Sequence, residues 1–120
     1  MPSGAFIAMR YGRALAVLLG AVCIARGAAA ADIATGQQLF TRKCAVCHAA
    51  GSTGALMLEK RLGHDHALLA ERTDLVPAYV AAIVRAGLRS MPALTRVELT
   101  DVQLEDIAAY LSRPRGGATP

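Results

Sequence analysis

Five consecutive residues, Cys44-Ala45-Val46-Cys47-His48, limit what this chain folds into more than any other feature of its 120 residues. On a helical turn, positions i, i+3 and i+4 share one face, so two thiols and an imidazole project together. Cys44 and Cys47 are too close in sequence to stabilise a fold as a disulfide, because that gain grows with the length of loop closed. The same spacing is the attachment signature of c-type haem. The two cysteines would form thioethers along one porphyrin edge, and the histidine would place a ring nitrogen on the iron. A haem held this way becomes a permanent part of the core.

Two other chemistries use similar residues. A thioredoxin-like redox pair wants C-x-x-C at a helix N-terminus within a βαβ pattern, whereas here the motif ends a helix. A structural zinc site needs four ligands, so Cys44, Cys47 and His48 would require His64 or His66 as well. Haem attachment agrees with the motif, its helical placement and the N-terminal segment together.

That N-terminal segment reads as a Sec signal peptide over residues 1–31. Arg10 and Arg13 precede an uncharged apolar run over residues 14–24, and Ala28 to Ala31 form a small-residue exit before Asp32. Cleavage after Ala30 or after Ala31 fits equally well. The apolar run falls short of the roughly 20 residues needed to cross a bilayer, so a membrane enters only if the leader is retained. Cys23 follows Val22, where a lipoprotein site needs a small residue, and belongs to the discarded leader. The expected layout is a leader, a domain over residues 32–113 and a flexible tail over 114–120, in a periplasmic, exported protein.

Charge then loses its apparent meaning. The whole chain carries +4, but beyond residue 31 ten basic and nine acidic side chains leave +1. No lysine or arginine cluster with interleaved aromatics is present, which excludes nucleic acid as a partner class. The roughly ninety remaining residues hold Phe40, Tyr79 and Tyr110 as their only aromatics, and no Trp; domains this small often need a staple. A covalent haem would supply one.

Three amphipathic helices are predicted. The first spans about residues 33–46. The second covers 77–86, with Pro77 at its first position and Gly87 at its end. The third starts at the capping box Thr100-Asp101-Val102-Gln103. It buries Leu104, Ile107, Ala108 and Leu111 on one face and stops at Pro114. A shorter helical turn is expected within 67–72. No segment alternates as a strand would, so the domain is all-α.

Gly36, Phe40 and Cys44 stand at spacings that resemble the class I, monohaem cytochrome c family, and the likeness runs from Ile33 to Leu111. It implies a small fold whose N- and C-terminal helices cross, with Gly36 allowing the close approach, Ile107 and Tyr110 opposite it, and haem as the core. One covalently bound haem c would be attached at Cys44 and Cys47 and ligated by His48. The stretch Gly87-Leu88-Arg89-Ser90-Met91-Pro92 looks like the family's distal loop, which makes Met91 the implied sixth ligand. His64 and His66 are the rival ligands, although they sit in a charged stretch that reads as a solvated loop. Met57 reads as core. No proline stands shortly after the motif, over residues 49–62, to supply its carbonyl to the proximal imidazole, although another backbone carbonyl can serve, and without Trp the propionate candidates are Arg85 and Arg89.

A haem ligated by histidine and methionine has no open coordination position. The expected activity is therefore electron transfer and not enzymatic catalysis. Its redox protein partners would be an exported flavoprotein dehydrogenase as donor, and a terminal oxidase or another cytochrome of the respiratory chain as acceptor. The segment 71–75, with Met91-Pro92-Ala93 and the last helix, is similar to the cytochrome subunits of p-cresol methylhydroxylase-type flavoprotein dehydrogenases. If Met91 is not a stable ligand, the alternative is a peroxidase or a gas-binding sensor.

Overall fold

Asp32 opens the first helix, α1 (Ile33–Lys43). Its Oδ1 accepts from the amides of Ala34 and Thr35 at 2.9 and 3.2 Å, satisfying N–H groups that a helix start leaves without partners. This computed structural model describes residues 30–115. The leader up to residue 29, with Cys23, and the tail from 116 to 120 lie outside the described residues.

The first helix was expected to run unbroken to Val46. It instead ends at Lys43, and a one-turn helix α2 (Ala45–His48) follows. Cys44 is the joint: its amide still bonds the Phe40 carbonyl at 2.8 Å, and its own carbonyl accepts from the Cys47 and His48 amides at 3.1 and 3.0 Å. The motif thus occupies its own tight turn at the end of α1.

Helix α3 (Thr53–Leu62) has no counterpart among the predicted elements. Two 3-10 turns follow, at His64–His66 and Leu69–Glu71, the second inside the turn expected over 67–72. Helix α4 (Pro77–Ala86) begins at Pro77 and is closed by Gly87, as the sequence indicates. Helix α5 (Asp101–Ser112) begins at the capping box, in which Thr100 Oγ1 accepts from the Gln103 amide at 3.2 Å and the Gln103 side chain accepts from the Thr100 amide at 3.1 Å. Among the described residues there is no strand, only a bridge between Leu88 and Met91. The fold is all-α. Among the same residues no helix is long and apolar enough to cross a membrane.

The core forms where α1 crosses α5. A methyl group on Gly36 would overlap the backbone carbonyl of Asp106 and press on Tyr110, so only glycine lets the two helices meet this closely. Phe40 and Tyr110 pack with ring centroids 5.7 Å apart. Ile107, 1% exposed, belongs with them to one cluster that includes Leu39, Val84, Leu99 and Leu104. Each such side chain contributes about 1.5–3 kcal/mol by leaving water. Buried Asp106 accepts from the Asp32 amide at 2.7 Å, tying the start of α1 to the middle of α5.

Candidate haem-binding site

The other half of the molecule is open. An apolar crevice is walled by α3 on one side and α4 on the other, and Leu111 of α5 reaches it from the core. His48 at the end of α2 and Met91 in the loop after α4 both line this one cavity. Cys44 is half-buried and packs on the core cluster, while Cys47 is exposed on the same turn. The motif's turn and the methionine loop therefore meet at a single crevice.

Local packing explains the placement. Gly54 sits where a Cβ would lie 2.5 Å from the Cys47 carbonyl oxygen and 3.4 Å from His48 Cε1, so glycine lets α3 lie directly over the motif. Across the crevice, Leu88 and Met91 exchange two backbone hydrogen bonds of 3.0 Å, and the Leu94 amide bonds the Val84 carbonyl at 2.9 Å. These bonds fix the methionine loop against α4.

The electrostatics suit ligation better than thiol chemistry. Burial pushes the His48 imidazole below its ordinary pKa, favouring the neutral form that binds metals. Its Nδ1 is buried without a hydrogen-bond partner among the described residues. Burial also pushes the Cys44 thiol up to about 11, the reverse of the lowered pKa that a C-x-x-C redox pair requires. Among the described residues no group of three or more His, Cys, Asp or Glu side chains is placed to hold a metal ion, which leaves the zinc alternative without its ligand set. An apolar cavity with a neutral imidazole, a thioether and an adjoining pair of thiols fits a porphyrin.

Other sequence expectations shift. Neither His64 nor His66 lines the crevice: His64 is 87% exposed and lies 3.1 Å from Glu59, and His66 lies 4.0 Å from Asp74. Met57 is not core. It is 44% exposed, lines the crevice, and its sulfur accepts from the Ser90 hydroxyl at 3.7 Å. Arg85 is committed elsewhere, donating to the Leu94 and Leu99 carbonyls at 3.0 and 2.9 Å and to Asp101 at 2.8 Å. Arg89 does line the crevice, joined by Arg61 and Arg72, which sequence reasoning passed over.

A C-x-x-C-H turn opening onto an apolar crevice in an all-helical fold defines a small haem protein of the c type. Residues 31–111 match the family described as cytochrome c oxidase, cbb3-type, subunit III, and the chain belongs to the cytochrome c family. It is similar to cytochrome c6 of Cyanidioschyzon merolae, 44% identical over 82 residues that cover 68% of this chain and 74% of that protein. Cytochrome c6 of Bumilleriopsis filiformis is 40% identical over 81 residues, covering 68% and 90%. Among solved structures, a chain of p-cresol methylhydroxylase with substrate bound is 32% identical, with 68% and 93% covered and a TM-score of 0.48. The protein is a haem electron-transfer protein with one covalently bound haem c.

Proposed function

We propose that this cytochrome is an exported, one-electron carrier whose haem is attached at Cys44 and Cys47 and ligated by His48 and Met91. The observation that carries this reading is that His48 and Met91 line one apolar crevice beside the motif's turn. When bound, the haem supplies a single iron that cycles between two oxidation states. Cys44 and Cys47 would hold it to the chain, Cys44 anchored in the core and Cys47 at the surface. His48 and Met91 would both ligate the iron, leaving no open site for a substrate and so favouring a carrier over an enzyme. Leu58, Leu75 and Val80 of the crevice wall would keep water from the iron, and the backbone bonds of Leu88, Met91 and Leu94 would hold the methionine in place.

Residues 1–31 would direct export and be removed, leaving the domain at 32–113 and a tail at 114–120 in the periplasm, with membrane association only if the leader stays. The donor would be an exported dehydrogenase, a flavoprotein by the likeness at 71–75, and the acceptor a terminal oxidase or another cytochrome.

The test is the visible spectrum of protein exported from a strain that matures c-type haem, recorded oxidised and reduced, with Met91→Ala alongside. A sulfur–iron charge-transfer band that vanishes in Met91→Ala, with prompt carbon monoxide binding only in the reduced mutant, is the expected result. A six-coordinate spectrum that survives the substitution would move the ligand to a histidine. Prompt carbon monoxide binding by the parent would favour a peroxidase or sensor, and a colourless protein would overturn the reading.

A further inference from the structure

Of the three arginines lining the crevice, Arg61 and Arg89 are exposed, but the Arg72 side chain is only 12% exposed. A guanidinium held at an apolar wall is costly unless its donors are met. Asp74 meets two of them, accepting from Nε at 2.8 Å and from Nη2 at 2.6 Å, a fork-on-fork geometry that fixes the guanidinium plane. Arginine carries five N–H donors, so three remain, on Nη1 and Nη2. No residue lining the crevice is acidic. No carboxylate of the crevice wall takes these donors, so they are available to water or to a group that fills the cavity, and the acceptors a haem brings are its two propionates.

We propose that Arg72, set in place by Asp74, anchors a haem propionate in this crevice. The inference rests on the haem reading above and replaces Arg85, whose donors serve the loop beyond α4. The charged and titratable groups around Arg72 are Asp74 on its own turn, Tyr79 on α4, and His66 behind Asp74 at 4.0 Å. Arg61 and Arg89 flank it on the crevice walls. A propionate held by a cation stays ionised, and one that loses the cation takes up a proton more readily.

The experiment is a redox titration of the holoprotein between pH 5 and 8, following the reduced visible band, for the parent, Arg72→Gln, Arg72→Lys and Asp74→Asn. Covalent haem and the sulfur–iron band should persist in all four. In Arg72→Gln the reduced-to-oxidised ratio at a fixed applied potential should fall roughly fivefold, the effect of one charge at about 10 Å in a partly polar medium. Its midpoint should also fall with rising pH more steeply than the parent's, as the freed propionate ionises. Arg72→Lys should restore most of the ratio, and Asp74→Asn should shift it upwards, because it removes a negative charge. If Arg72→Gln keeps the parental midpoint and slope, Arg72 merely ties its own turn and the proposal fails. A parent without covalent haem would instead overturn the haem reading, and this assignment with it.

Discussion

Helices α5 and α3 have similar lengths, 12 and 10 residues, yet α5 buries Leu104, Asp106, Ile107, Ala108, Tyr110 and Leu111 while α3 buries Ala55 alone. Leu56, Met57 and Leu62 of α3 are all exposed, and Met57 and Leu62 line the crevice. The difference separates two ways of completing a fold. The α1–α5 crossing is closed by the chain's own side chains, whereas the α3–α4 half presents apolar surface to a space the peptide does not fill. An isolated helix of ten residues is marginal in water, so α3 depends on what it packs against. On the proposed haem reading, that includes the cofactor.

Removing the haem should therefore divide the molecule. In a Cys44→Ala/Cys47→Ala protein, hydrogen exchange should show α3 and residues 88–94 losing nearly all amide protection, while α1 and α5 keep a measurable part of theirs. The expected loss is several kcal/mol of local stability in the crevice half, since each apolar side chain left uncovered forfeits about 1.5–3 kcal/mol. Equal protection of α3 and α5 without haem would erase the distinction.

The crossing should break from its own side. Gly36→Val would drive a branched side chain into the Asp106 carbonyl and the Tyr110 side chain, and neither backbone can yield without separating the helices. A loss of about 3 kcal/mol or more is expected, read as a lower denaturation midpoint of the holoprotein. Because the haem crevice lies on the other half, the sulfur–iron band should persist in whatever fraction folds.

The two halves were unequally legible in the sequence for the same physical reason. Capping at Thr100, the i, i+3, i+4 face of α5 and the small residue at 36 are local signals that point inwards to side chains of the chain itself. Helix α3 has no such markers. Gly51 and Gly54 look like loop punctuation, Ser52 provides no side-chain cap, and Met57, Leu58 and Leu62 line an open crevice rather than a buried core. The Cys44–His48 motif was readable because its chemistry lies within one turn, though the break at Cys44 was not. Arg85 and Arg72 could not be told apart by sequence alone. An arginine near a loop serves a carbonyl or a propionate equally well, and only the fold shows Arg85 spent on Leu94 and Leu99 and Arg72 held at the crevice wall.

The smallest effect sharpens the contrast from the crevice side. Arg89, in the turn closed by Leu88 and Met91, adopts φ of 55°, a left-handed conformation that costs a side chain with a Cβ and suits glycine. Arg89→Gly removes that strain but loosens the unfolded chain, and the two effects oppose each other. Since the native φ is positive, strain relief should prevail, giving a gain of about 0.5–1 kcal/mol in a denaturation midpoint at neutral pH. At the crossing a glycine is required because two backbones touch, and a larger residue ruins the packing. At the crevice lip a larger residue occupies a glycine's conformation and is tolerated, because the loop is exposed and has room. If Arg89→Gly instead weakens the holoprotein, the arginine's charge at the crevice outweighs its strain, and this lip would contribute to holding the cofactor as well as shaping the methionine loop.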